Sequence, residues 1–390
     1  MSSTKPWIAV FDLSVTRNSP AGSCVLTEVL GVANEFDITV FSDAFDCDAT
    51  KRLQWVRVPL PKKPGFLRYM MFHMLAPLAL RWHIRQRGIA PVLIQATQAQ
   101  FIGANVCYPH FCHRAYLNNQ WQLQRSTGLR RLARWITHSY NAATEALAFK
   151  RAQMVIAPSQ GLIKELVATY PFLYGKTRQI PNPVDVAAFR RPDDFDRKMM
   201  RTTIGLNDND KVLCFAALGD FERKGLGIIV DALVQIPDAD VKLMVVGGSH
   251  SEILAFKEQA IRAGVIDRLL FTGFQKDVRP FFWASDLFVF PSTYEIFSLV
   301  LIQAPAAGLP VLATRLHGFE EYAEDGRNCW IVERTVESVR NAILDAICDS
   351  SRLKGIGAAA LQAVQRYNKE NFVAEWRSCI RAMLPEKSKE

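Results

Sequence analysis

Short apolar runs rich in Val, Ile and Phe alternate along the chain with longer stretches whose apolar positions return every three or four residues. The first pattern is that of strands buried on both faces, the second that of amphipathic helices; their alternation predicts parallel βαβ units. In the first half the predicted strands are 7–12, 36–42, 53–59, 93–95 with its flanks, 104–108 and 153–157. The predicted helices are 22–34, 66–87, 125–152 and 159–169. Around 181–210 a segment dense in Pro, Asp and Arg breaks the rhythm and reads as a connector. Strands resume at 212–218, 241–248, 269–274, 287–292 and 310–314; 334–384 is helical by pattern, and the final PEKSKE reads as a frayed tail. The expected architecture is therefore α/β: two βαβ domains, 1–185 and 186–365, facing a central cleft, with a C-terminal helix and tail at 366–390 packing back on the first domain. Ligands of such sheets bind beyond the carboxyl ends of the strands.

Composition adds little to this, but charge adds more. The 390 residues suit two domains, and 49% hydrophobic with 22% charged residues is an ordinary globular balance. No uncharged apolar run is long enough for a membrane-spanning helix, and the N-terminus lacks the apolar core of a secretory signal, so a cytoplasmic protein is expected. Cys24, Cys47, Cys107, Cys112, Cys214, Cys329, Cys348 and Cys379 form no C-x-x-C pair, which predicts free thiols and no metal site. Residues 51–90 hold nine cations (Lys51, Arg52, Arg57, Lys62, Lys63, Arg68, Arg81, Arg85 and Arg87) and no acid. Residues 110–152 add Arg114, Arg125, Arg130, Arg131, Arg134, Lys150 and Arg151 against the single acid Glu145. Such blocks attract a membrane surface, a phosphorylated glycan or nucleic acid. No nucleic-acid-reading module accompanies them, so nucleic acid is not the expected partner. The stretch 64–88 is apolar in its middle and basic at both ends. It reads either as an interfacial helix on anionic lipid or as a buried helix interrupted near Pro77.

Two segments carry chemistry. In PSTYEIFSLVLIQAPAAGLPVLAT, 291–314, a strand ends at Pro291-Ser292, a loop carries Glu295, and a helix is expected from Phe297 or Ser298 to Gly308. Amides at a helix start, here those of Phe297, Ser298 and Leu299, make a site for a diphosphate. Gln303 follows Glu295 by eight residues, about two helical turns, and so is expected on the same face. In LGDFERKGLGIIVDAL, 218–233, Arg223 and Lys224 stand just before a helix, where two cations oppose the dipole unless an anion lies between them.

The first segment resembles the donor signature of the family 4 retaining glycosyltransferases, in which two glutamates are separated by seven residues. The adjacent Arg223-Lys224 is similar to the lipopolysaccharide-core glucosyltransferase branch. IPNPVDVAAF (180–189), TGFQKDVRPFFWASDLFVFPS (272–292) and HGFEEYAEDGRNCWIV (317–332, with Glu321 in the acidic position) extend the likeness over roughly 150–335. The resemblance implies the GT-B fold, two Rossmann-like domains, and assigns roles residue by residue. Glu295 contacts the transferred sugar; Arg223, Lys224 and the amides of 297–299 hold the diphosphate. The loop bearing Phe274, Lys276 and Val278 holds the base. Gly22, in the loop Asn18–Gly22, approaches the donor phosphates, and either His110 or His113, in VCYPHFCHR, is the catalytic-site histidine. The chain departs from the family pattern at Gln303, where a glutamate holds the ribose, at Ile296 and Ser298, where glycines are usual, and at Cys329. A Gln carbonyl lacks the charge and the two-oxygen grip of a carboxylate, so the ribose hold is expected to weaken by roughly 1–2 kcal/mol. Ile296 is expected to narrow the loop near the donor sugar.

The expected activity is metal-independent, retaining transfer of a sugar from a nucleotide-diphosphate donor, which serves as co-substrate with no further cofactor. The acceptor is a glycan or lipid-linked saccharide of the cell envelope, met at the inner face of an anionic plasma membrane. Two alternatives stay open from sequence: a non-catalytic nucleotide-sugar-binding partner protein, and a nucleotide-sugar epimerase of the same fold.

Overall fold

The computed structural model describes residues 5–47, 52–62, 64–123 and 128–385. Lys51, Lys63, Arg125, the side chain of Arg130 and the end of the expected tail, 386–390, lie outside the described residues. The chain divides into two compact units, 1–183 with 370–390, and 184–369.

Unit 1 contains β1 (Trp7–Phe11), β2 (Ser14–Val15), α1 (Pro20–Val32), β3 (Asp37–Ser42), β4 (Ala44–Phe45), β5 (Leu53–Arg57), α2 (Gly65–Arg87), β6 (Leu93–Thr97), β7 (Val106–Tyr108), α3 (His113–Asn119), α4 (Gly128–Arg151), β8 (Met154–Ala157), α5 (Gln160–Thr169) and β9 (Thr177–Gln179). Seven strands form one parallel sheet in the order β5-β3-β1-β6-β7-β8-β9, and β2 and β4 pair separately. Every residue of β1 is buried, as the continuous apolar run WIAVF requires of a central parallel strand.

Unit 2 contains α6 (Val186–Phe189), α7 (Arg197–Thr203), β10 (Lys211–Ala217), α8 (Leu226–Val234), β11 (Val241–Gly247), α9 (His250–Arg262), β12 (Leu269–Gly273), α10 (Arg279–Ala284), β13 (Leu287–Phe290), α11 (Val300–Ala306), β14 (Val311–Ala313), β15 (Cys329–Ile331), α12 (Val336–Cys348) and α13 (Ser350–Val364). Its six parallel strands run β12-β11-β10-β13-β14-β15. The last helix, α14 (Lys369–Met383), returns to unit 1. There Val373 lies against Gly31 of α1, Trp376 stands 5.1 Å edge-on to Tyr108, and Arg377 and Arg381 pair with Glu35.

Several expectations are corrected. The connector holds two helices, and Arg201 of α7 is wholly buried, donating to Ala284 O at 2.9 Å and Asp286 Oδ2 at 2.7 Å. α2 runs unbroken through Pro77. A separate short helix, α3, precedes α4. α11 begins at Val300 rather than at Phe297 or Ser298, so Phe297–Leu299 and Glu295 are loop residues, and the helical register expected to align Glu295 with Gln303 does not apply. The cysteines, by contrast, are free as expected, six of the eight buried and Cys348 exposed.

Candidate active site

Because each sheet is parallel, the loops after its strands gather at one edge. In unit 2 the loop after β10 is fixed first. Glu252 caps α9 and also accepts from the amides of Asp220 (2.6 Å) and Phe221 (3.3 Å), holding Asp220 at a φ of 62° that non-glycine residues seldom adopt. The loop then turns through Gly225 (φ 86°), where a Cβ would meet Pro291 O at 2.3 Å. Only glycine permits this approach, which sets the Arg223-Lys224 loop against the loop after β13. Thr293 ties the two together, its amide and hydroxyl both donating to Arg223 O at 3.0 and 2.9 Å.

This seam joins Arg223 to Glu295. The guanidinium donates through Nε to Asp220 Oδ2 (2.7 Å), and through Nη1 to Glu295 Oε1 (2.9 Å) and Tyr294 O. Ser292 Oγ donates to the same Glu295 oxygen at 3.2 Å. Burial works against the Arg223 cation, but Glu295 and Asp220 outweigh it, so its pKa stands above the ordinary value. Lys224 differs. It is sunk beside Phe290, its Nζ 5.9 Å from the ring centroid, and burial, only partly offset by Glu295, holds its pKa below the usual range. Among the described residues no carboxylate comes within ion-pair distance of Lys224. A half-buried cation without a counter-ion, just before the positive end of α8, is an anion-binding arrangement.

The remaining unit 2 residues differ in burial. Phe297 is buried, edge-on to Tyr367 at 5.4 Å; Ile296 is buried too. Gln303, half-buried on α11, makes no side-chain hydrogen bond to the described residues. Phe274 and Lys276 are exposed after β12, and Val278 is half-buried at the start of α10. β12 is two strands from β10, so the strands that carry this loop and the Arg223 loop stand roughly 10 Å apart in the sheet.

Unit 1 separates the two histidines. His113 is the first residue of α3; its amide donates to the buried Glu145 carboxylate at 2.9 and 3.1 Å, and its Nδ1 is 2.9 Å from that of His138. Burial, then His138, pushes its pKa down to about 3. His110 follows β7, its ring 4.3 Å from that of Tyr108 and its Nε2 enclosed without a hydrogen-bond partner. Burial pushes its pKa down to about 3, so the ring is neutral at physiological pH. Gly22 is not in a loop: it lies in the first turn of α1, its amide bonded to Ser19 Oγ at 3.2 Å, and a Cβ there would meet Ser14 O at 2.0 Å. That contact is a packing reason for glycine.

Asp220, Ser292, Thr293 and Glu252 were missed from the sequence. Asp220 had a signal, an acid three residues before Arg223; the others act across a tertiary contact that no local pattern records.

Two family models match the chain, Glycosyltransferase Family 4 over residues 27–188 and Glycosyl transferases group 1 over 209–349. The chain belongs to the family 4, group 1 glycosyltransferases. The uncharacterized glycosyltransferase MJ1607 of Methanocaldococcus jannaschii is 24% identical over 88% of this chain and 89% of its own. The lipopolysaccharide core biosynthesis mannosyltransferase LpsB of Rhizobium meliloti is 32% identical over 38% of this chain, a match spanning 44% of that protein. The crystal structure of WaaG, a glycosyltransferase involved in lipopolysaccharide biosynthesis, superposes with a TM-score of 0.78 at 19% identity, covering 96% of this chain and 99% of that one. The glycosyltransferase therefore has the GT-B fold of two parallel α/β domains.

Proposed function

We propose that this glycosyltransferase transfers a sugar, with retention and without a metal, from a nucleoside-diphosphate donor to a glycan or lipid-linked acceptor of the cell envelope. The observation that carries the donor assignment is Lys224, a sunken cation with no carboxylate partner among the described residues, beside the Arg223–Glu295 pair. In this reading Lys224, Arg223 and the amides of Phe297, Ser298 and Leu299 hold the diphosphate and stabilise the charge that develops as it leaves. Glu295, released from part of its contact with Arg223, meets the transferred sugar, and neutral His110 contacts that sugar without acting as an acid. Gln303 takes a ribose hydroxyl, and the Phe274–Val278 loop meets the base. The lipopolysaccharide role of LpsB supports an envelope acceptor. The cationic blocks of unit 1 support work on an anionic membrane at the cytoplasmic side.

The test is a thermal-shift panel of UDP-, GDP- and ADP-sugars on wild type and Lys224→Met, followed by turnover with the donor that binds. A donor at a hundred times its Kd raises stability by about 2.7 kcal/mol. One nucleotide sugar should shift wild type and not the variant, and should be consumed when acceptor is added. Binding with neither transfer nor donor hydrolysis would replace the enzyme with the non-catalytic reading.

A further inference from the structure

The loop joining β6 to β7 holds a non-glycine residue in the left-handed region, Gln98, with φ 55°. Such a conformation persists only where surrounding contacts over-determine it, and it tends to occur where geometry matters for function. The contacts at Gln98 all point one way. Its amide donates to Tyr108 O (3.0 Å), its side-chain Oε1 accepts from the amide of His110 (3.0 Å), and its Nε2 donates to Phe111 O (3.3 Å). One side chain thus clamps the backbone on both sides of the His110 Cα and replaces the ladder pairing that ends with β7.

The same short loop reaches two further elements. Gln100 Oε1 accepts from the amide of Leu13 after β1 at 2.7 Å, and Ala99 O lies 2.7 Å from Nε2 of His73 on α2. The clamp is therefore itself braced from both sides. Inside it, the His110 ring is pressed against Tyr108 with Nε2 enclosed and unpartnered. A ring nitrogen without a protein partner keeps hydrogen-bonding capacity for a further group, because leaving it unpaired costs free energy. His113, three residues on, has its Nδ1 engaged by that of His138 instead, so of the two candidate histidines it is His110 that has an enclosed nitrogen without a partner.

We propose that Gln98 is the positioning residue of His110: its strained backbone and two-ended side chain fix the ring for contact with the sugar during transfer. This rests on the role given to His110 in the proposed function. Gln98 touches no reacting atom in this scheme and acts only through the histidine.

The experiment compares Gln98→Ala, Gln98→Gly, Gln98→Glu, His110→Ala and the Gln98→Ala/His110→Ala double variant. Gln98→Ala should lower kcat about tenfold to a hundredfold, the scale on which small misplacements act, with donor KM changed less than about twofold. Gln98→Gly relieves the backbone yet removes the clamp, so it should be as slow as Gln98→Ala; recovery of activity would mean that strain alone was at stake. Gln98→Glu keeps the acceptor toward the His110 amide and should restore part of the rate. The double variant should be no slower than His110→Ala, because both act through one ring; independent, multiplicative losses overturn the proposal. Imidazole resonances of labelled histidine give a reading that needs no turnover. In Gln98→Ala the His110 signal should move and begin to titrate between about pH 5 and 7 as its enclosure opens, with His113 and His138 unchanged. An unmoved His110 signal overturns the inference whatever the activity. A moved signal in Gln98→Ala, with a wild type that itself turns over no donor, supports the clamp and overturns the transferase reading.

Discussion

Adjacent residues Arg223 and Lys224 look alike in sequence, yet their surroundings give them opposite roles in stability. Arg223 neutralises Glu295, whose side chain is largely buried, so Arg223→Ala strands that carboxylate and should destabilise the protein by about 1–3 kcal/mol before any question of donor binding. Lys224 has no such partner among the described residues and its burial is costly, so Lys224→Met should leave the melting temperature equal or higher while abolishing the donor-induced shift. Chemical denaturation of the two variants with and without donor separates the effects. If both destabilise equally, Lys224 has a structural partner and the anion site loses its main support. A second residue-scale effect is the pH response of Glu28. Fully buried on α1, it accepts from Gln95 Nε2 at 2.8 Å while Gln95 Oε1 has no partner, and burial pushes its pKa up to about 8. A protonated Glu28 can return a hydrogen bond to that oxygen. The folded state then holds a proton that the unfolded chain, with the ordinary carboxylate value of 4.5, gives up earlier. The stabilisation is whole below about pH 4.5 and is lost as pH rises toward about 8, with a slope approaching 1.4 kcal/mol per pH unit. Glu28→Gln should flatten that decline in urea melts taken between pH 5 and 8.

Individual elements show how far sequence could be read. The long buried runs such as WIAVF and VKLMVVG were legible because a parallel strand covered on both faces is dominated by apolar residues, with Lys242 the one charge among them. The two-residue pair β2–β4 and the three-residue edge strands β9 and β15 were not, since so short a run has no period to detect. The start of α11 was misread for a different reason. EIFSLVLIQ has helical spacing throughout, but the Arg223 and Thr293 contacts pull 291–299 into a loop, and tertiary bonds override local preference. The likeness of motif named Arg223, Lys224 and Glu295 together as candidate donor residues; that Arg223 and Glu295 touch was visible only in the fold. Gly225 is the element that makes them touch. Gly225→Ala must either take an unfavourable positive φ or push Pro291 away, a cost of about 1–3 kcal/mol for the backbone alone. It should lower the melting temperature and weaken donor binding together, measured by calorimetry on one preparation. Unchanged donor affinity would mean that the seam between the β10 and β13 loops is not part of the donor site.

For the molecule as a whole, the excess of nine positive charges has a particular place. On α2, Met74, Leu78 and Trp82 recur every four residues and are each more than half exposed, while Phe72, Ala76, Leu80 and His83 are buried behind them. Arg81 and Arg85 share that outer face. The α4 start repeats the theme, with Leu129, Leu132 and Trp135 exposed beside Arg131 and Arg134. No described helix is long and apolar enough to cross a membrane. Apolar and cationic side chains on one helix face suit the boundary of an anionic bilayer, where tryptophan and leucine enter below headgroups that arginine meets. We therefore expect the protein to sediment with vesicles containing phosphatidylglycerol and far less with pure phosphatidylcholine. Each juxtamembrane cation contributes about 1 kcal/mol, so Arg81→Glu/Arg85→Glu should weaken binding at least about tenfold and remove the preference for anionic lipid. Leu78→Glu/Trp82→Glu should weaken binding to both kinds of vesicle. Neither pair is among the residues proposed to hold the donor, so donor hydrolysis in detergent-free buffer should stay at the wild-type level, which separates lipid docking from the chemistry. If the second pair instead abolishes a concentration-dependent dimer and leaves vesicle binding intact, the apolar face of α2 meets another copy of the chain and the membrane assignment fails.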